Sequence, residues 1–145
     1  MSEYLFRGKR LNNGEWKYGY YVKQYGAHQI YVSEFEGEYG FDDYHVDPET
    51  IGQYIRRTDR NGKKIFEGDI VIIHGAPQVR YYEIKFGQHP AFPIGNPYDA
   101  ADAYGFYFAD HKEDGDSLND YVFEKLEVVG NIYDNPELLG ENKYE

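Results

Sequence analysis

The sequence predicts a mainly β protein framed as a small β-barrel. Three observations carry that class: β-branched and aromatic residues alternate with period two, glycine turn signals recur at short intervals, and no stretch sustains helical periodicity. One stretch concentrates these features. In TDRNGKKIFEGDIVII, residues 58–73, two turn signals flank a short extended piece and lead into an apolar run.

Taken in order, EYLFRGKRLNNGEWKYGYYVK predicts a hairpin. Asn13-Gly14 supplies the positive φ angles of a tight turn, and Trp16, Tyr18 and Tyr20 then share one strand face. HQIYVSE predicts a further strand, and the acidic EFEGEYGFDDYHVDPE (34–49) a solvated hairpin or loop. TIGQYIRR returns as a strand. Asp59-Arg60-Asn61-Gly62 then turns the chain, Lys63 to Phe66 extend, Glu67-Gly68-Asp69 turns it again, and Ile70 to Ile73 read as a buried strand.

VRYYEIKF places Tyr82, Ile84 and Phe86 on one inward face. Three prolines within eight residues make GQHPAFPIGNPYDAADAYG read as an irregular loop insertion at 87–103, a segment with the placing of a binding element. YGFYFAD predicts a strand with Phe106 and Phe108 inward, and YVFEKLEVVGNIYD another after an acidic turn. Asn135-Pro136-Glu137 has an N-cap residue, a proline at the first helical position and an acid in the first turn, which predicts one helical turn through Leu139. Residues 141–145 read as a fraying tail.

The chain has 145 residues, enough for one compact domain or two small ones sharing an interface. A single domain over 1–140 is expected, with 1–50 as an N-terminal hairpin region that could stand as a subdomain and 51–140 as the barrel region. Cysteine is absent, which removes disulfides, thiolate metal sites and a cysteine nucleophile. No apolar run approaches the roughly 20 residues that span a bilayer, and MSEYLFRGKR has no signal-peptide core, so a soluble intracellular protein is expected.

A formal charge of −11 opposes the phosphate backbone of DNA or RNA and makes general nucleic-acid binding an unfavoured expectation. The charge is segregated. Residues 1–33 carry five basic and two acidic side chains, 34–50 seven acids and no Lys or Arg, 51–66 five basic against one acid, and 67–145 five basic against sixteen acids. Aromatic residues make up 19% of the chain, 17 of them tyrosine, so tyrosine rings are expected to supply much of the core.

IGQYIRRTDRNGKKIFEGDIV (51–71), EVVGNIYDNPELL (127–139) and FRGKRLNNGEWKYGY (6–20) together resemble the YopX family of phage and prophage proteins. The resemblance touches both ends and the middle of the chain. It implies a barrel of the Src-homology (SH3-like) type and a setting in the bacterial cytoplasm, and it carries over no catalytic residue. In such a barrel, EGDIV lets a strand start after a tight turn: Gly68 takes a backbone angle forbidden to other residues, and Asp69 accepts a local backbone hydrogen bond.

His28, His45, His74, His89 and His111 are scattered, and only His45-x-Asp47 places a nitrogen and a carboxylate on one strand face, where a surface pair is the preferred reading. DHKEDGDSLNDY (110–121) loosely matches a calcium loop, but Lys112 stands at a ligand position and Tyr121 where the closing glutamate belongs. Ser2, Ser33 and Ser117 lie in no glycine-flanked elbow, and Gly8-Lys9 and Gly62-Lys63 lack the rest of a phosphate loop.

No cofactor, metal or catalytic residue is therefore expected. The best positive feature is the basic cluster Arg56, Arg57, Arg60, Lys63 and Lys64, with Tyr54 and Phe66 offering stacking faces. It could meet a phosphate or an acidic protein surface, or neutralise the chain's own acidic segment, and neutralisation is the preferred reading. The expectation is a non-enzymatic accessory protein that binds another protein or itself. The alternative is nucleic-acid engagement, or mimicry of DNA toward a host DNA-binding protein.

Overall fold

The computed structural model describes residues 5–31, 45–75, 77–91, 101–109 and 123–142. They form nine strands: β1 (Phe6–Lys9), β2 (Trp16–Gln24), β3 (Ala27–Tyr31), β4 (Gly52–Thr58), β5 (Lys64–Phe66), β6 (Asp69–Ile73), β7 (Tyr82–Ala91), β8 (Ala101–Ala109) and β9 (Leu126–Asn131). Two 3-10 turns, Pro48–Thr50 and Pro136–Glu141, complete the regular structure. The fold is mainly β, as the periodicity predicts, and β1 pairs antiparallel with β2 and β4, β2 with β3, β6 with β7 and β9, and β7 with β8. The chain divides into two compact units, 1–56 and 57–145.

In the first unit the strands run in the order β3-β2-β1-β4. Asn13-Gly14 makes the expected turn: Gly14 has φ 72°, its N–H donates to Arg10 O, and Arg10 N–H donates to Glu15 O. Residues 45–47 bridge β3 and β1, because Val46 N–H donates to His28 O on β3 while Asp47 N–H donates to Lys9 O on β1. The approach is close enough that a side chain on Gly8 would meet Val46 at 3.0 Å. Ile30, Val46 and Ile55 are the first unit's buried apolar residues among those described.

In the second unit the end of β4 turns back as β5, and a four-stranded sheet runs β8-β7-β6-β9. Ile65, Ile70, Val71, Ile84 and Leu126 are fully buried, joined by Phe66, Phe108, Phe123, Val128 and Leu139. Gly68, at φ 92°, makes the expected turn, its N–H donating to Ile84 O. The Asp69 carboxylate accepts from Phe66 N–H at 2.8 Å, the local bond expected of EGDIV.

The closed SH3-like barrel does not form among the described residues, where the sheets are open. The physical reason lies on β9. Its outer edge is already used by the β4–β5 turn, since Arg60 N–H donates to Leu126 O and Val128 N–H donates to Asp59 Oδ2. β9 also carries a bulge, the register stepping from Ile70↔Gly130 to Val71↔Val128.

Two segments expected to be irregular are regular where they are described. At the two ends of the 87–103 insertion, residues 87–91 and 101–103 are strand: β7 continues through Pro90 to Ala91, β8 begins at Ala101, and Pro90 pairs with Asp102, while 92–100 lie outside the described residues. Among the described residues β6 pairs with β7 at Tyr82 and Glu83, with Gly68 N–H bonded to Ile84 O just beyond, and β7 then runs on past β6 as an overhang, a position in which proline is tolerated. Phe86 lies on this overhang and is exposed, whereas Ile84 on the same alternation is buried. At the C-terminus, Asn142 is no loose tail: its amide accepts from Tyr81 N–H at 2.7 Å and donates to Tyr81 O at 2.8 Å.

Among the described residues tyrosine does not supply the core. The buried apolar residues are Ile, Val, Leu and Phe, and Tyr18, Tyr20, Tyr21 and Tyr25 are exposed. Each phenol would have needed a partner for its hydroxyl in the interior, and the aliphatic side chains carry no such requirement.

Candidate functional site: the basic β4–β5 hairpin

The turn between β4 and β5 is built around one side chain. Asp59 is buried, and its Oδ1 accepts from Asn61 N–H and Lys63 N–H, both at 2.9 Å, while Oδ2 accepts from Val128 N–H at 2.9 Å. Backbone bonds from Asp59 N–H to Lys63 O and from Gly62 N–H to Asp59 O close the loop. Gly62 sits at φ 81°, a conformation open to glycine and strained for other residues. Asp-x-Asn-Gly is a turn in which the first carboxylate mimics a backbone acceptor two residues on.

Burial pushes the Asp59 carboxyl upward, but the N–H groups of Val128, Lys63 and Asn61 and the Lys63 charge outweigh it and hold the group below the ordinary carboxylate range. Asp59 is thus an anion near neutral pH with its oxygens committed to backbone donors. It serves as an anchor, since a general base near neutral pH needs the opposite shift.

The five basic residues of the sequence-level cluster have separate environments. Arg56 ends the first unit, exposed, with φ 67°, a left-handed conformation inside a strand. Arg57 is half-buried, its guanidinium 4.1 Å from the centre of the Phe123 ring in a cation–π contact. Arg60, Lys63 and Lys64 are exposed on the turn and the start of β5. In the second unit the hairpin therefore presents three exposed cations beside one guanidinium stacked on a ring.

What the hairpin can bind follows from its spent donors. The N–H groups of Asp59, Arg60, Asn61, Gly62 and Lys63 all donate within the protein, so no backbone cradle for phosphate exists there. Recognition falls to the cationic side chains, which suits a carboxylate-bearing surface. Phe66 is buried and offers no stacking face, contrary to the sequence-level reading.

His45 and Asp47 have separate local roles. His45 bridges to Gln29, and the Asp47 carboxylate caps the first 3-10 turn by accepting from Glu49 N–H. Among the described residues no group of three or more His, Asp or Glu converges. The loop 110–121 lies outside them. Asn135 precedes the second 3-10 turn without capping it: its side-chain oxygen accepts from Asn131 N–H instead, at 3.2 Å.

Two features escaped the sequence. One is an open cavity of about 500 Å³ lined by Ile73, Pro77, Gln78, Arg80 and Tyr82. The other is the face on which β1 lays Arg7 and Lys9 beside Trp16 and Tyr18 of β2, with Arg7 4.8 Å and Lys9 5.7 Å from the centre of the indole. The alternating Arg7 and Lys9 are visible in the sequence, but the register that pairs them with rings is not.

Comparison with known proteins gives a family and a likeness among solved structures. The model of the YopX protein family matches residues 5–140. The crystal structure of protein EF1440 from Enterococcus faecalis is similar at 20% identity with a TM-score of 0.48, over 96% of this chain and 99% of that one. No curated protein matches. No helix among the described residues is long and apolar enough to cross a membrane.

Proposed function

The chain belongs to the YopX family, and from that premise we propose that it is an accessory protein of phage or prophage origin that acts in the bacterial cytoplasm by binding protein, its own copies included, rather than by catalysis. The observation that supports this reading is the hairpin whose anchor, Asp59, consumes the local amide donors and leaves Arg60, Lys63 and Lys64 exposed. Such a surface selects carboxylates by charge. The chain itself offers them in abundance, with sixteen acids against five basic residues over 67–145.

Sedimentation velocity over a range of protein concentrations tests the proposal. Wild-type protein is expected to associate, and the variant carrying Arg60→Glu, Lys63→Glu and Lys64→Glu is expected to remain monomeric. Identical sedimentation of the two proteins would remove the hairpin from the interface.

A further inference from the structure

We propose that the cavity lined by Ile73, Pro77, Gln78, Arg80 and Tyr82 binds a small uncharged aromatic molecule that presents a hydrogen-bond acceptor at one edge, a function independent of the hairpin. Its volume of about 500 Å³ falls within the range of small-molecule sites, roughly 300 to 1,000 Å³.

The floor of the cavity continues the core. Val71 of β6 lies opposite Tyr82 of β7, and directly opposed residues of an antiparallel pair project to the same side. Two residues along each strand, alternation keeps Ile73 and Ile84 on that side, where Leu126 lies opposite Ile73 and Phe108 opposite Ile84. Val71, Ile84, Phe108 and Leu126 are buried, whereas Ile73 and Tyr82 are half-buried. The apolar face of the sheet thus extends past its buried part and into the cavity.

The site is held in shape. His74 N–H donates to Lys125 O at 2.8 Å and its Nε2 lies 2.8 Å from Glu127 Oε1, which fastens the chain as it leaves β6. The Asn142 side chain bonds both backbone groups of Tyr81, at 2.7 and 2.8 Å, which fastens the return into β7. The Tyr82 ring packs against Phe108, their centres 5.8 Å apart. Pro77, Gln78 and Arg80 are therefore presented by a connection fixed at both ends, the preorganisation that a selective pocket needs.

The lining chooses the ligand. Ile73, Pro77 and the Tyr82 ring offer apolar and π surface, which favours a flat ring system. Arg80 has five N–H donors and no acceptor, so the ligand edge that meets it must accept. Arg80 also engages the protein, and its forked donors allow a second partner. Its fixed positive charge turns away a cation, and sixteen acids against five bases over 67–145 oppose an anion. A neutral acceptor satisfies both conditions.

The test titrates the isotope-labelled full chain with three soluble probes and follows its backbone amides by heteronuclear NMR. Carbostyril is flat and neutral with a carbonyl acceptor, indole is flat and neutral with a donor alone, and quinaldate is a flat anion. Saturable shifts at the amides of Ile73, Gln78, Arg80 and Tyr82 are expected with carbostyril, which should bind about fivefold or more tighter than either other probe. Arg80→Leu should weaken carbostyril by about tenfold, the loss of a hydrogen bond from a charged donor, and leave indole within about twofold. The variant's own spectrum reports its folding, and the ranking of probes on wild type needs no variant.

The proposal is overturned if carbostyril gives no saturable shifts up to low-millimolar concentration, or if its shifts centre on other residues. Tighter binding of quinaldate than of carbostyril would overturn the neutral assignment. Equal loss of carbostyril and indole in a folded Arg80→Leu variant would overturn the donor role and leave Arg80 to hold the connection. Failure of the hairpin reading appears separately, in the sedimentation of the Arg60, Lys63 and Lys64 variant.

Discussion

Asp59 shows how one residue can dominate a loop. Its carboxylate satisfies three backbone donors, two in its own turn and one on β9. Replacing it with alanine leaves buried N–H groups without acceptors, and each such group costs about 1–3 kcal/mol. We expect Asp59→Ala to lose about 3 kcal/mol in urea unfolding, against a change within about 0.5 kcal/mol for Lys64→Ala at an exposed site. The pH dependence has a definite sign. The folded carboxyl lies below its unfolded value, so its stabilisation is complete above the ordinary carboxylate range and disappears as pH falls through the folded value. The gap between wild type and Asp59→Asn should therefore be full at neutral pH and shrink below about pH 4. A gap that stays constant down to about pH 2 would remove the charge from the explanation.

At the scale of elements, the strand that mattered most for the reading of the sequence is β7. Period-two alternation puts Tyr82, Ile84 and Phe86 on one face, yet Ile84 is wholly buried and Phe86 is exposed, packed edge-on to Phe106 at 5.0 Å. Ile84→Ala should cost about 2–5 kcal/mol in chemical denaturation, as a large-to-small change in a closed core. Phe86→Ala should cost about 1 kcal/mol, the worth of an aromatic pair outside the core. Equal losses would place the overhang inside the cooperative core. The difference was hidden because alternation assigns faces within a strand but says nothing of how far its neighbour accompanies it. Turns were legible for the opposite reason: Gly14, Gly62 and Gly68 all take positive φ where local turn chemistry puts them, and Asp69 accepts from Phe66 N–H within four residues. The Asp59 bond to Val128 spans 69 residues and left no local trace. The same limit hid the Arg7 and Trp16 contact, which depends on which strands pair and in what register.

Over the whole molecule, segregated charge gives copies of the chain both a reason to meet and a reason to separate. In the proposed self-association a net charge of −11 opposes the approach of like copies, and the cations of the hairpin supply the close-range attraction to the other copy's carboxylates. The two effects separate by comparing variants of equal total charge. Lys63→Glu with Lys64→Glu takes the chain from −11 to −15, since each reversal removes two units, and Lys85→Glu with Lys125→Glu reaches the same −15 from other exposed positions. If the hairpin makes the contact, only the first pair abolishes association in sedimentation velocity. The second pair then weakens it modestly and loses that effect as salt is raised toward about 0.5 M, where charges more than a few ångströms apart are screened. Equal loss in both variants would assign association to net charge, and the hairpin would then be left with the structural duty that Asp59 already gives it, holding the outer edge of β9 closed to further strands.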